Sequence, residues 1–491
     1  MFREIFIIHF ITERMQRQLY TAIILLLLCL GMNSCIKDTD IIPNTDEPPT
    51  GMENTTFVFS VNNSAPTNGA VVDRDLGTAS EYTVHSATVY LFDKHTEKLT
   101  KTISLRDIKE IGIKDLTVFY GSKKEEVKAG EYILLVIANA QNTFSGSSLE
   151  ELLEEIDKTT YSKGIFYYIP SQGLIMTNRA SDNRNVVIGS SQDQTVTIVL
   201  ERVAAKVEVG QKQDYFELKD ASGKAYATLK LHEFKMINLL KRFYLFRHVL
   251  QMDKFPSQQP AFKFPTDYEK MNKTNGYVVD PYFFDKVTPY KANKDFFAQE
   301  LIDVMAHEGW TAMEPSQKST VQFCLENTLY KSSQISGYTT GVVFRTTVKP
   351  EEILTLHSVL EPSVTPYTIY YTDKKFYQTI EVLKKRLKIS LPIDEQTSTE
   401  DLRKLNIVRL SLNNGNYYCY YNYWIKHIDN NVPDKMEAME YGIVRNNHYK
   451  IFVNSIKDIG AGNPIIEVDN TNEKEANFNA DTNIYPWVVF K

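Results

Sequence analysis

The sequence predicts a mainly β protein of two domains with short helical insertions, set behind an export segment. Three observations carry that expectation. The chain has 29 Tyr and 26 Phe against only 3 Trp, and Tyr and Phe suit the half-buried surface of a pleated sheet. Short runs alternate strictly: in Thr55–Val61, Phe57, Phe59 and Val61 share one face while Thr56, Val58 and Ser60 share the other, the period of a strand. The length of 491 residues exceeds one ordinary sandwich and suits two domains.

Composition excludes several classes. Hydrophobic residues make up 43% and charged residues 24%, with a net charge of -6. That balance offers no electrostatic footprint for nucleic acid. Of the four cysteines, Cys29 lies in an apolar run and Cys35 just beyond it. Cys324 and Cys419 are too few for a disulfide framework and fit no metal spacing. They read as two buried thiols, with one bridge between them left open.

Each element follows in order. Arg14 and Arg17 precede the apolar run Ala22–Leu30, which has the length of a signal-peptide core and falls short of the ~20 residues of a membrane span. Ser34 stands directly before Cys35, the arrangement a lipoprotein signal peptidase needs, so residues 1–34 are expected to leave as a signal peptide and Cys35 to carry lipid. Glu4 and Glu13 do not suit a signal's first region, which makes Met15 a candidate start. Thr39–Met52 is rich in Pro, Asp and Thr and reads as a solvated tether. The strand Thr55–Val61 follows, then a loop from Asn62 to Gly77 holding Arg74, the one Lys or Arg between Lys37 and Lys94.

Further strands are expected at Ala87–Phe92, Leu116–Tyr120, Gly130–Ala138 and, as one run, Gln194–Val209, with a short helix over Ser147–Ile156. Ala225–Leu240 alternates again. From Lys241 to Gln317 the chain is aromatic and poorly periodic, which predicts long surface loops and a short helix near Phe296–Met305. Gln322–Leu325, Thr339–Val348 and Ile369–Tyr371 read as strands. In Asp373–Arg386, Phe376, Ile380 and Leu383 fall at helical spacing. Val408–Leu412, Tyr417–Ile425 and Tyr449–Ile456 are closing strands, the last with Tyr449, Ile451 and Val453 on its core face and an irregularity at Asn454-Ser455. A polar tether, Asp469–Asn483, separates them from the apolar end Ile484–Lys491.

No chemistry-bearing motif emerges: no phosphate-binding glycine loop, no zincin His pair and no nucleophile elbow. The nine His are scattered; His427, Asp429 and His448 read as strand-end or core residues rather than ligands. Carboxylate pairs such as Asp394-Glu395 lack a framing acid or base. No catalytic residue, cofactor or metal is therefore expected. The run Tyr417–Trp424 alternates between two faces; one is core, and the other is half-covered or, alternatively, a sugar-stacking surface of a glycan-binding lipoprotein.

The C-terminal residues resemble a known family. Tyr417–His427, then Met439–Ile451 with Val444-Arg445-Asn446-Asn447-His448-Tyr449-Lys450-Ile451, then Val453–Gly460, resemble the C-terminal region of the fimbrillins, subunits of type V pili. Arg202-Val203-Ala204-Ala205-Lys206-Val207 resembles the strand closing that family's N-terminal domain. Leu325–Thr328 with Gly337–Thr340 resembles its second-domain core, and Ile484–Lys491 its terminal Pro-Trp strand. The segment 373–405 departs from a shaft subunit and leaves a tip subunit open; Arg74 disfavours an anchor.

The resemblance implies two transthyretin-like β-sandwich domains, 75–208 and 209–470, behind a lipidated propeptide, 35–74, and before a tether and donor strand, 471–491. It implies transport to the outer membrane as a lipoprotein, cleavage between Arg74 and Asp75 by an Arg-specific protease, and loss of the first strand. Ile484, Trp487, Val488, Val489 and Phe490 of another copy, or of an accessory subunit, then fill the vacated groove in a surface fimbrium that supports adhesion. A sandwich lacking a strand exposes unpaired N–H and C=O groups beside an apolar slot, which a donated strand satisfies.

Overall fold

The computed structural model describes residues 51–62, 78–251 and 276–486, apart from short stretches between 115 and 192 and between 293 and 308, and residues 362, 428–439, 466 and 470–477. The described chain is mainly β. The first sheet uses Met52–Asn62 (β1), Ala87–Asp93 (β2), Leu99–Leu105 (β3), Lys109–Lys114 (β4), Thr117–Lys128 (β5), Gly130–Ala138 (β6), Met176–Asn178 (β7) and Asp193–Arg202 (β8). Their order is β3-β2-β6-β7-β8-β1-β5-β4, and the short strand Asn185–Ile188 adds to β6. Alternation places Phe57, Phe59, Val61, Val89, Leu91, Val136, Ile198 and Leu200 in one core.

The chain continues through Ala204–Gln211 (β9), Phe216–Lys219 (β10), Ala225–Ile237 (β11), Ser319–Leu325 (β12), Gly341–Pro350 (β13), Thr368–Thr372 (β14), Lys375–Tyr377 (β15), Val408–Asn413 (β16), Asn416–Trp424 (β17), Asn447–Ile456 (β18) and Phe478–Pro486 (β19). One sheet runs β19-β18-β9-β12 and ends on Ile165–Phe166; another runs β10-β11-β13-β17-β16-β14-β15 and ends on Ile353–Leu354. A second core between them holds Val207, Val209, Leu229, Phe344, Cys419, Tyr421, Tyr449, Ile451 and Val453. Asn414 and Gly415 both adopt positive φ, 48° and 76°. That is the backbone a tight β16–β17 hairpin requires, and the reason Asn-Gly stands there.

Several expectations need correction. The run Gln194–Val209 is two strands in two sheets, broken at Val203, whose N–H bonds Ile175 O. Within the segment Lys241–Gln317, the described residues Phe243, Phe246, Tyr282, Phe296 and Phe297 do not lie in surface loops but pack into a third core with Leu240, Leu325 and Tyr338. Where a helix is expected near Phe296, Phe297–Gln299 is a strand paired with Leu239–Leu240. The helix predicted over Asp373–Arg386 starts only at Ile380, capped by the Thr379 hydroxyl on Val382 N–H. Before it, Asp373 and Lys374 (φ 49° and 57°) form a hairpin tip, and Phe376 lies in β15 on the main core. The strand predicted to stop at Tyr120 continues to Lys128. The expected C-terminal tether is strand from Phe478 onward.

Candidate polymerisation site

The site is the place that β1 occupies. β1 runs parallel to β8, with Phe57 opposite Val196, Phe59 opposite Ile198 and Val61 opposite Leu200. On its other edge it is antiparallel to β5, with Phe59 opposite Tyr120 and Val61 opposite Val118. A register irregularity at Phe57 is closed by its N–H donating to Ser122 Oγ at 3.0 Å. In the strand order of the described residues, β1 is the strand whose pairing joins the β5–β4 hairpin to the rest of its sheet. Phe57, Phe59 and Val61 are wholly buried, each worth about 1.5–3 kcal/mol relative to exposure. A chain without β1 therefore exposes two strand edges and an apolar slot together.

At the other end, β19 is an edge strand. Among the described strands it pairs antiparallel with β18 alone, Ile484 opposite Tyr449 and Thr482 opposite Ile451. β18 is in turn parallel to β9 through Tyr449–Val207 and Ile451–Val209. Ile484 is thus placed in a strand of its own chain. Cys35, Arg74, Asp75, Trp487, Val488, Val489 and Phe490 lie outside the described residues.

The motifs that resemble the fimbrillins converge on one buried polar junction. Arg202, wholly buried, donates through Nε to Glu81 O at 2.7 Å, and its backbone N–H donates to Asn446 Oδ1 at 3.2 Å. Lys206 Nζ lies 2.9 Å from Glu81 Oε1, both side chains nearly inaccessible. Asn446 N–H bonds Ala204 O, and Asn327 and Ile443 exchange two backbone bonds of 2.8 Å. Arg445 Nε donates to Glu326 Oε2 at 3.2 Å, while its other nitrogens reach Tyr244 O and Leu245 O. Arg247 lies 2.9 Å from Glu201. Burial pushes the Arg202 guanidinium down to about 10 and the carboxylate beside it pulls the other way. A buried, mutually paired set of this kind fixes geometry; it presents no open position for substrate.

The remaining candidates resolve as structure. His427 Nδ1 is 2.8 Å from Tyr449 Oη, and burial pushes its pKa down to about 4. His448 lies 2.9 Å from Glu208. Burial opposes the Glu208 charge, yet hydrogen bonds from His448 and Ser319 outweigh it and hold the carboxyl at about 2. Tyr417, Cys419 and Tyr421 face the core. On the opposite face of β17, Arg345 stacks 4.9 Å from the Tyr418 ring, Trp310 lies 6.3 Å from Tyr420, and Asn422 donates to Ile465 O. That face is partly covered by the chain itself. Among the described residues no group of His, Cys, Asp and Glu is arranged to hold a metal, and Cys324 and Cys419 are free, buried thiols.

Two stretches of this chain are similar to known families of fimbrial subunits. Residues 55–208 match the model of the major fimbrial subunit protein family, and residues 415–491 match that of the fimbrillin C-terminal region. The likeness to the fimbrillins that the sequence carries is thereby shown at both ends of the chain. No curated relative matches it. Among solved structures it is similar to a fimbrilin from Porphyromonas gingivalis W83, at 16% identity over 89% of this chain and 99% of that one, TM-score 0.45. It is also similar to the tip fimbrial protein Mfa3 from Porphyromonas gingivalis, at 11% identity over 88% and 100% of the two chains, TM-score 0.38. A fimbrial assembly protein from Parabacteroides distasonis matches at 16% identity over 61% and 99%, TM-score 0.26. No helix among the described residues is long and apolar enough to cross a membrane.

Proposed function

We propose that this chain is a structural subunit of a cell-surface fimbrium that polymerises by strand exchange at the β1 groove. It reaches the outer membrane as a lipoprotein held by Cys35. An Arg-specific protease then cuts between Arg74 and Asp75. The segment released, 35–74, contains both the lipid and β1, so one cut frees the subunit and opens the slot between β8 and β5. The end of a neighbour's chain, Ile484 with Trp487, Val488, Val489 and Phe490, fills it. Domains 75–208 and 209–470 are carried together into the polymer.

The single observation that carries the reading is the position of β1. A strand upstream of the proposed cut lies in the interior of a sheet, bonded on both edges. Its removal leaves a vacancy that nothing but another strand can satisfy. β19, bonded on one edge, is the terminal segment that detaches at lower cost. The test uses two variants in cells that build the fimbrium. Arg74→Ala is expected to leave a lipid-anchored monomer, and deletion of 484–491 to give processed subunits that do not ladder on unheated gels. Normal fimbriae from either variant would refute the corresponding half.

A further inference from the structure

A second cluster of reactive groups lies away from the groove. Asp280 follows the strand Gly276–Val279, and a turn returns the chain to Lys286 six positions on. Lys286 and Asp280 have side-chain exposures of 0% and 1%, and Asn327 is equally inaccessible. Lys286 Nζ lies 2.7 Å from Asn327 Oδ1, 2.6 Å from Asp280 Oδ2 and 3.1 Å from Thr328 O. An amine, a carboxamide and a carboxyl thus share one dry site.

From this geometry we propose that Lys286 and Asn327 become joined by an isopeptide bond within the folded chain, with Asp280 carrying the proton. Each group is held where the step needs it. Asp280 accepts from Tyr282 N–H, Thr328 N–H and the Thr328 hydroxyl. Asn327 is fixed by its backbone pair with Ile443. Its Nδ2 lies 3.2 Å from Asn238 O, 2.8 Å from Tyr338 O and 2.8 Å from Thr340 Oγ1. A carboxamide nitrogen has two hydrogens for these three acceptors. The Thr340 hydroxyl serves Asn238 O at 2.9 Å, which leaves the two hydrogens for Tyr338 O and Thr340 Oγ1 and fixes the carboxamide with Oδ1 toward Lys286. Burial pushes the Lys286 ammonium pKa down, the direction that frees an amine lone pair for attack.

The step balances without any co-reactant. The ammonium gives a proton to Asp280 Oδ2, and the freed amine attacks Asn327 Cγ to form the Nζ–Cγ bond. Asp280 passes this proton and then the second Nζ proton to the departing Nδ2, which restores its own carboxylate. The Cγ–Nδ2 bond breaks, and the nitrogen leaves as ammonium. The product ties the turn after Val279 to the residues that follow β12, 41 positions away in sequence, a covalent staple suited to a subunit under tension.

Mass spectrometry of the denatured, full-length protein is the test, and it needs no variant. The chain is expected to be lighter than its sequence by one ammonia, with the peptides holding Lys286 and Asn327 recovered as one joined species. Full sequence mass, or an ammonia loss that maps to any other residue, would overturn the proposal. Lys286→Met and Asp280→Asn should keep the full mass. A link that still forms in Asp280→Asn would remove Asp280 from the proton path.

Discussion

The two terminal strands differ in what they hold together. β1 is interior, bonded to β8 on one side and β5 on the other, and among the described strands its pairing joins the β5–β4 hairpin to its sheet. β19 is peripheral, bonded among the described strands only to β18. Loss of β1 divides a sheet and uncovers a core; loss of β19 shortens a sheet by its last strand. The comparison teaches that the two ends have opposite costs of release. A chain that gives up its first strand must obtain another, and the strand it can offer in return is the one it holds least.

The largest expected effect breaks the comparison directly. Deletion of 52–62 should abolish cooperative unfolding of the folded chain, whereas deletion of 478–491 should leave it intact. Denaturant titration followed by circular dichroism reads both, and equal losses would erase the distinction. Next are single side chains at the junction and in the two cores. Arg445→Met leaves Glu326 buried without its cation and should cost about 3–5 kcal/mol. Phe59→Ala in β1 and Ile451→Ala in β18, both wholly buried, should cost roughly 3–5 and 2–5 kcal/mol. β1 and β18, each bonded on two edges, should thus be comparable in side-chain packing, a point that urea melts of the two variants settle.

A smaller effect follows from His427. Its folded pKa, about 4, lies below the ordinary value near 6.5, so the unfolded chain takes up the proton first. The stability it contributes is complete above about pH 6.5 and falls as pH drops toward 4, by roughly 3 kcal/mol at most. His427→Gln should flatten that part of the stability–pH curve; an unchanged slope would place the titration elsewhere. The smallest change belongs to β4, whose residues are all exposed. Ile111→Lys should stay within about 0.5 kcal/mol of the parent, and a larger loss would show that this edge is packed.

Legibility followed the backbone period. β1 and β18 were readable because a single face is buried: Tyr449, Ile451 and Val453 are inaccessible, and Ile456 is buried past the irregularity that the register shows between Val453 and Ser455. The break at Val203 was not readable. Arg202 and Lys206 look like solvent positions in an alternating run, and their partners Glu81 and Asn446 lie 121 to 244 positions away. The aromatic stretch after Lys241 was misread because its side chains are buried from an irregular backbone, which leaves no period to detect. The Tyr-rich strand was legible in alternation alone, since Trp310 and the 461–465 segment that cover its second face carry no local signal. At the groove, the sequence marked Phe57, Phe59 and Val61 as one face but not that the strand is interior, a property of pairing rather than of the strand itself.

The central claim is that the β1 position is vacated and refilled by another chain's end. A photo-crosslinker at Thr197, which is exposed on β8 opposite Val58, reads the occupant directly. In Arg74→Ala it should capture residues 52–62 of its own chain. In the processed polymer it should capture residues 478–491 of a different copy, identified by isotope labelling of one population. Capture of the chain's own 52–62 segment in the processed polymer, or of no C-terminal segment at all, would contradict the account.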